Sequence, residues 1–380
     1  MRRMLCSLLI TGLLFSLSGC ALFPSRLHGV ERLLVVQALG LDAAQGEVQL
    51  SMASAADSAR GEGPVRMSGE GSTIRSASND IVSRATEEEL FCAHTGVILL
   101  GEESAPQLLG AALRYVCRSR EIRMDVPLYI VRGESAETAL LETGGERIGA
   151  VEILEALTAA APSRDGFAPP SVAEIAGRLE SGGCALASAV ACTPASEQEE
   201  EGSALTLSPA GCAVIQNGGV AAFIEQEDIP ALDCLIGAQG VHDIVVTDAQ
   251  GQRVTLQTAP GKTSLRPLRG ESGSLTGVEI AVTLPASVAE IDGRGALSDA
   301  AYADALAALL ERELLSGMSR VVQLEKTLRA DFLGLEDRIA LRSSAAARRA
   351  DGPLTDYLGT LGIRLSVSVT ISHSNDVRDG

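Results

Sequence analysis

The sequence predicts a multi-domain α+β protein whose sheets are mostly antiparallel or mixed and are flanked by helices, with a long C-terminal helix packed on a sheet. Three observations support this fold class. Apolar runs of strand length occur in groups, as at 29–54 and 211–224. Stretches with helical periodicity lie between these groups, and the longest is near the C terminus. The regular strand–helix alternation of a large parallel sheet is absent.

The first half of the chain opens with a predicted strand hairpin. "GVERLLVVQALGLD" (29–42) is an apolar run closed by a Gly-Leu-Asp segment, and the alternating "GEVQLSMAS" (46–54) follows after a short turn. A helix with Ser72 as its cap comes next, and "LFCAHTGVILLG" (90–101) is the clearest strand of the chain. Further helices are expected at 103–119, 134–142, 149–160 and 171–181, with a strand at 126–131.

Turn sequences separate the predicted strands and helices of the second half. The Asn-Gly-Gly sequence at 217–219 joins two apolar runs and predicts a β-hairpin, and 227–237 predicts a short helix. A β-rich section follows, and the strand "GVEIAVTLPASVAEI" (277–291) leads to a long helix at 298–332. A strand at 363–372 closes the pattern. Along the long helix, apolar residues spaced by three or four form a stripe that we expect to face its own sheet and not a partner's helix: Leu306, Leu310, Leu314, Met318, Val321, Leu324 and Leu328.

Two polar stretches predict domain boundaries. "TPASEQEEEGS" (193–203) combines proline, serine and a run of acids between apolar segments, and glycines and serines at 270–274 mark a second, weaker boundary. The expected organisation is a cleaved signal peptide (1–19), an N-terminal α+β domain (20–195), a small β-rich middle domain (204–270) and a C-terminal α+β domain (272–376) with the helix 298–332.

The N terminus predicts lipidation. "LLFSLSGCALFPS" (13–25) ends an apolar segment that follows two arginines and is about a dozen residues long, too short for a membrane-spanning helix, which needs ~20 residues. Ser18 and Gly19 are the small residues that signal peptidases require, and cleavage after them makes Cys20 the first residue. Leu-Ser-Gly-Cys looks like a bacterial lipobox, so we expect a thioether-linked lipid on Cys20. An ordinary secretory signal with an incidental cysteine is the alternative.

The composition limits the classes of partner. A net charge of −18 repels phosphates, which argues against nucleic-acid binding, and it also repels anionic lipid headgroups. A lipid on Cys20 must therefore hold the chain at a membrane. Aromatic residues make up 3% of the chain and tryptophan is absent, so few rings are available to stack on sugars or nucleobases.

Six cysteines remain after Cys20: Cys92, Cys117, Cys184, Cys192, Cys212 and Cys234. An even number permits disulfides in an exported protein, and Cys184/Cys192 and Cys212/Cys234 are the pairs closest in sequence. We favour the alternative, that they are small buried hydrophobic residues. The four histidines are scattered and no Cys-x-x-Cys occurs, so no zinc site is indicated.

Motifs that carry chemistry are absent. "GEGSTIRSAS" (69–78) begins like a dinucleotide-binding loop but lacks the third glycine, so we expect a plain strand-to-helix turn in preference to an anion site at the helix N terminus. His94 lies within the predicted strand 90–101, which favours a core or strand-edge histidine over a catalytic base. With no P-loop and no nucleophile elbow, we predict no enzyme, no cofactor and no catalytic residue.

Seven segments, taken in order, resemble the Ger(x)C family, the lipoprotein C subunits of GerA-type germinant receptors in spore-forming bacteria. His94, Gly101 and Glu102 fall at the corresponding places of that family's Ser-His-x-x-Val-Ile-x-Gly-Glu stretch, whereas Ala21-Leu22 stands where the family usually has Trp-Asp. The segments are "LSGC", "ERLLVVQALGLD", "GEGSTIRSAS", "FCAHTGVILLGEESA", "RSREIRMDVPLYIVRGESAETAL", "GCAVIQNGGVAAFIEQED" and "LEKTLRADFLGL".

The resemblance implies a non-enzymatic lipoprotein subunit of a nutrient germinant receptor, which acts in sporulating bacteria to trigger spore germination. Its lipid (diacylglycerol and palmitate on Cys20) would hold it on the extracytoplasmic face of a membrane, the inner membrane in a spore. Its implied partners are an integral A-type subunit and a permease-like B-type subunit. The alternative is a solute-binding lipoprotein of a membrane transporter, which the low aromatic content and missing βαβ order disfavour.

Overall fold

A computed structural model describes residues 33–55, 63–85, 89–145, 148–161, 167–195, 205–238, 240–271, 274–292, 300–342 and 354–371. Cys20 and the predicted signal peptide lie outside these residues. Within the described ranges the chain forms two large mixed sheets with helices packed against them, which confirms the predicted α+β class. No helix in these ranges is both long and apolar enough to cross a membrane.

Ten strands lie in the described residues of the first half of the fold. Their bounds are Leu33–Val35 (β1), Ala38–Ala44 (β2), Glu47–Ala53 (β3), Arg66–Gly71 (β4), Glu89–Phe91 (β5), Val97–Gly101 (β6), Leu128–Val131 (β7), Cys184–Pro194 (β8), Leu205–Gln216 (β9) and Gly219–Ile224 (β10). Eight of them form one sheet in the order β10-β9-β8-β7-β6-β2-β3-β4, and β1 and β5 form a separate parallel pair. The neighbours β2, β6, β7 and β8 run parallel, a centre that the sequence did not predict.

Five helices cover this eight-stranded sheet: Ile74–Arg84 (α1), Ala105–Arg118 (α2), Ala136–Leu141 (α3), Ala150–Ala160 (α4) and Val172–Gly182 (α5). Successive residues of a strand point to opposite faces, so Leu39 and Ile98 pack with α1, α2 and α5, whereas Ala38 and Leu99 pack with α3 and α4. The helices agree with the predicted ranges to within a few residues.

The cap of α1 is Thr73, so the prediction of Ser72 was wrong. The Thr73 hydroxyl accepts a hydrogen bond from the Ser76 amide at 3.1 Å, and Ser76 Oγ accepts one from the Thr73 amide at 2.8 Å. This reciprocal capping satisfies two amides at the start of the helix, and it requires a side chain three residues after the cap that can accept.

The predicted strand at 90–101 is divided, and there the prediction was wrong. Cys92–His94 form a 3₁₀ turn between β5 and β6, closed by the Thr95 hydroxyl, which donates to the Cys92 carbonyl at 2.8 Å. His94 is exposed in this turn and is neither a core nor a strand residue. The predicted strand at 29–42 is likewise divided into β1 and β2.

Strands β9 and β10 form the predicted hairpin. Asn217 and Gly218 occupy the turn with φ of 53° and 81°, the left-handed conformations that a two-residue turn between twisted strands requires. The prediction from Asn-Gly is confirmed.

The predicted domain limit at 193–203 lies between β8 and β9. These two strands pair antiparallel from Cys184 with Gln216 to Pro194 with Leu205. The first sheet therefore continues across this limit as far as Ile224.

Five strands form the second sheet: Asp243–Thr247 (β11), Arg253–Thr258 (β12), Lys262–Arg269 (β13), Leu275–Ile291 (β14) and Gly362–Ile371 (β15). The long strand β14 pairs antiparallel with β12 and β13 and parallel with β15. The second predicted limit, at 270–274, lies in the connection between the paired strands β13 and β14. The segment 204–270 thus contributes strands to both sheets.

The described part of the second half contains four helices: Ile229–Ile236 (α6), Ala300–Leu328 (α7), Leu335–Arg342 (α8) and Leu354–Tyr357 (α9). The stripe along α7 is buried from Leu306 to Val321 in a core that also contains Leu256 and Ile280 of the second sheet, which confirms that α7 faces its own sheet. Val214 of the first sheet lies in the same core, so the two sheets share it.

Candidate functional site

Residues of several family-like motifs converge at one edge of the first sheet. Asp42 lies near the end of β2, Gly101 ends β6, and residues 132–137 follow β7. Parallel strands end at the same edge of a sheet, where open α/β folds place their functional groups. We call Asp42, Gly101, Glu102, Ser104 and residues 132–137 the carboxyl edge.

Asp42 is the centre of the carboxyl edge. Its Oδ1 accepts a hydrogen bond from the Ala136 amide at 3.0 Å, and its Oδ2 accepts one from the Glu137 amide at 2.8 Å. The side chain is buried, and burial raises the pKa of its carboxyl while these amides oppose the rise. Because both oxygens are bound by backbone at the first turn of α3, Asp42 acts as a structural clamp and not as an open catalytic base.

Packing explains the glycine at the end of β6. A Cβ atom on Gly101 would lie 2.3 Å from Asp42 Oδ1, closer than any real contact. Nearby, Ser104 Oγ accepts a hydrogen bond from the Ala43 amide at 2.9 Å. The Gly-Glu pair at 101–102 and the Gly-Leu-Asp segment at 40–42 are therefore packed against each other.

Arg132 and Glu225 join the carboxyl edge to the end of β10. The Arg132 guanidinium donates to both Glu225 oxygens, at 2.8 and 2.9 Å, and lies 4.4 Å from the centre of the Phe223 ring. The hydrogen bonds from Arg132, and to a smaller extent its charge, lower the pKa of the Glu225 carboxyl. On the other side, Glu102 Oε2 accepts a hydrogen bond from the Gly133 amide at 3.1 Å. These charged side chains are partly exposed, so the carboxyl edge presents a polar surface on a fixed backbone.

The six cysteines of the described chain are free thiols; Cys184 and Cys212 are buried as predicted, whereas Cys117 is exposed and there the prediction was wrong. Cys184 and Cys192 lie eight residues apart on the single strand β8, a span of about 26 Å at ~3.3 Å per residue. A disulfide needs Cα atoms within about 7 Å, so this pair cannot bond in the fold. Burial raises the pKa of Cys184 to about 11, which keeps its thiol protonated and unreactive.

A buried Asp–His pair lies in the second half, and the sequence did not predict it. His242 Nε2 and Asp233 Oδ2 are 2.9 Å apart beside a cavity of about 30 Å³, the volume of one water molecule. The Thr258 hydroxyl accepts from the His242 amide at 3.0 Å and donates to the His242 carbonyl at 3.3 Å. The Thr258 hydroxyl is thus already hydrogen-bonded to the backbone, and the cavity is too small for an organic substrate. We therefore assign the Asp233–His242 pair a structural role, in which it joins the loop before β11 to α6.

A second feature that sequence reasoning missed is the buried carboxyl group of Glu325 near the end of α7, close to the half-buried Asp331. Glu325 is fully buried, and its Oε1 accepts a hydrogen bond from the Leu333 amide at 3.1 Å. Asp331 accepts from the amides of Leu335 at 2.6 Å and Glu336 at 2.8 Å. Burial first, and then the Asp331 charge, raises the pKa of Glu325 well above its ordinary value. The sequence did indicate that Glu325 is buried, because this residue lies four positions after Val321 and therefore falls on the apolar stripe of the helix.

The remaining predicted site residues do not converge. The turn at 69–78 is the predicted strand-to-helix connection between β4 and α1, and His94 is not part of the carboxyl edge. Within the described ranges, no group of three or more His, Cys, Asp or Glu side chains is arranged to hold a metal ion.

Comparison with known proteins links the carboxyl edge to one family. Residues 28–191 match the family model described as the spore germination protein N-terminal domain, and every residue of the carboxyl edge lies in this range. Among solved structures, the crystal structure of the GerBC protein superposes with a TM-score of 0.58 at 15% sequence identity, covering 88% of this chain and 96% of that one. That likeness shows a shared fold. No curated protein sequence matches the chain.

Proposed function

We propose that this chain is a member of the Ger(x)C family of spore germination proteins and is the C subunit of a nutrient germinant receptor. The observation that carries the proposal is the match of residues 28–191 to the family's N-terminal domain, supported by a fold shared with GerBC over most of both chains. The carboxyl edge is consistent with a role without catalysis, because its buried carboxylate is bound by backbone amides.

Anchoring is the first step of the proposed mechanism. A diacylglycerol and an amide-linked fatty acid on Cys20 hold the chain on the extracytoplasmic face of the membrane. Each buried methylene contributes ~0.8 kcal/mol, so two or more chains bind stably where a single chain is marginal. The net charge of −18 makes attraction to anionic lipids an unsuitable substitute.

Assembly is the second step. Confinement to the membrane raises the effective concentration of the subunit toward an integral A-type subunit and a permease-like B-type subunit. The receptor then responds to a nutrient and starts germination, with the C subunit acting through its contacts.

Affinity purification of the tagged full-length chain from detergent-solubilised spore membranes tests the assembly. We expect mass spectrometry to identify an A-type membrane protein together with a permease-like subunit. A variant with Arg266→Gln, an exposed change on the second sheet, serves as a matched control that should recover the same partners. Recovery of transporter ATPase and permease subunits in their place would contradict the receptor role and favour a solute-binding lipoprotein.

Lipidation is tested separately. Cys20→Ala should abolish incorporation of labelled palmitate and move the protein from the detergent phase to the aqueous phase after cloud-point separation. Cys6→Ala, in the predicted signal peptide, is the matched control and should leave labelling unchanged. Undiminished labelling of the Cys20 variant would show that the anchor lies elsewhere.

A further inference from the structure

A groove between α1 and α2 gathers positive charge on a strongly acidic chain. Its volume is about 760 Å³, and its rim carries four arginines, Arg75, Arg114, Arg118 and Arg120, with Glu121 as the one carboxylate among its lining residues. We call the groove lined by these arginines the arginine groove. The whole chain has 31 basic and 49 acidic residues, so a local excess of four to one is opposite to the general trend.

The guanidinium groups of the arginine groove are accessible to a ligand. Elsewhere arginines pair with acids, as Arg132 does with Glu225 and Arg320 with Asp228. Within the part of the chain that the structure describes, none of the four groove arginines forms an ion pair, and all four are exposed. Arginines that have no acid partner and share one concave surface repel one another, and a bound anion removes this repulsion.

The fold brings these four side chains together. Arg114 and Arg118 are four residues apart on α2 and therefore share one face of the helix. Arg75 lies in the first turn of α1, where the helix dipole adds positive potential. Both helices are anchored in the core, through Leu108 of α2 and Ile74 of α1, which also line the floor of the groove. The floor is thus apolar and the rim cationic.

We propose that the arginine groove binds a small organic anion through its carboxylate or phosphate oxygens. A guanidinium matches the two oxygens of either group with parallel hydrogen bonds. The volume lies within the range of about 300–1,000 Å³ that small-ligand sites occupy, and the apolar floor accommodates the carbon skeleton. The ligand is either a free small molecule or a lipid headgroup, which share this chemistry. The inference is independent of the receptor role.

Titration calorimetry of the detergent-purified full chain tests the site with three probes: citrate, pyrophosphate and the water-soluble lipid dihexanoyl phosphatidic acid. We expect saturable binding of at least one probe with one site per chain, weakening as salt is raised. Binding of citrate or pyrophosphate identifies a free anion as the ligand source, and binding of the lipid alone identifies a headgroup.

Matched double variants localise the binding. Arg114→Gln with Arg118→Gln should weaken it tenfold or more, and so should Arg75→Gln with Arg120→Gln. The control, Arg253→Gln with Arg312→Gln, makes the same change in net charge at exposed positions outside the groove and should change the affinity less than twofold. Equal melting temperatures show that the variants fold. The proposal is overturned if no probe binds, or if both groove variants bind as the native chain does.

Discussion

The amide of Ala136 donates a hydrogen bond of 3.0 Å to Asp42 Oδ1, although the two residues are 94 positions apart in the chain. The next amide, of Glu137, binds the other oxygen at 2.8 Å. One buried carboxylate thus fixes the start of α3 against the end of β2. Two separate segments of the family resemblance, Gly-Leu-Asp at 40–42 and Gly-Glu-Ser-Ala at 133–136, are therefore parts of one contact.

The close packing of Gly101 against Asp42 gives a first prediction. Gly101→Ala places a Cβ atom 2.3 Å from Asp42 Oδ1, so we expect the free energy of unfolding to fall by about 1–3 kcal/mol. Gly177→Ala is the matched control, because no atom lies within 4 Å of its added Cβ in α5, and it should raise stability by about 0.5–1 kcal/mol. Urea denaturation measures both changes. Equal effects of the two substitutions would contradict the packing explanation.

The buried Glu325 gives a second prediction, on pH dependence. Its pKa is raised well above the ordinary 4.5, so the folded state binds this proton more tightly than the unfolded chain. The contribution of Glu325 to stability is therefore fully present below about pH 4.5 and is lost as the pH rises toward the raised folded-state value. Glu325→Gln is neutral at every pH and can still accept from the Leu333 amide. The variant should gain stability relative to the native chain by up to about 1.4 kcal/mol per pH unit across this interval.

Denaturation of the native and variant chains at a series of pH values from 4 to 8 checks this. Glu313→Gln, an exposed position on the same helix, is the control and should follow the native curve. A stability difference between Glu325→Gln and the native chain that stays constant with pH would show that burial does not perturb this carboxyl.

The ion pair between Arg132 and Glu225 gives a third prediction. Both side chains are partly exposed, so their two hydrogen bonds should contribute only about 0.5–1 kcal/mol. A double-mutant cycle with Arg132→Gln and Glu225→Gln measures this coupling in the free energy of unfolding. Because solvent-exposed pairs are screened, the coupling should shrink in 1 M salt. A coupling that is zero at low salt would mean that the pair does not join β7 to β10 energetically.

Thiol reactivity provides a fourth prediction. Cys117 is exposed on α2, whereas burial raises the pKa of Cys92 to about 11 and of Cys234 to about 12. Iodoacetamide at pH 8 should therefore label Cys117 first in the folded protein, and peptide mapping by mass spectrometry identifies the site. In denaturant all six thiols should be labelled. A disulfide-linked peptide containing Cys184 and Cys192 would contradict the placement of both residues on β8.

The elements that the sequence predicted well are those whose signal is local. Asn217-Gly218 specified a hairpin turn, because few other residues adopt two successive positive φ angles. The stripe from Leu306 to Val321 predicted a helix with one buried face, because its period is that of the helix itself. Within the candidate site, the motifs pointed to Gly101 and Glu102, but their spacing gave no reason for either residue.

Elements that depend on distant partners were predicted less well. The apolar run at 90–101 contains two strands that enter different sheets, and only the pairing of β5 with β1 and of β6 with β2 separates them. The acidic stretch at 193–203 has the composition of a linker, yet the strands on either side pair with each other. Composition indicates where a chain is exposed, and it does not indicate which segments are neighbours.

The sequence by itself therefore determined the α+β class, the family resemblance and the hairpin and helix positions, and it predicts lipidation at Cys20, since each follows from residues that are close together in the chain. Tertiary structure decided the parallel centre of the first sheet, the clamp of Asp42 on α3, the buried Glu325 and the gathering of four arginines in one groove. All of these except the contacts of Glu325, which are made with Asp331 and Leu333, join segments that are distant in the sequence. The physical reason is that burial, pKa and charge density depend on which side chains meet in space, and the order of residues does not contain that information directly.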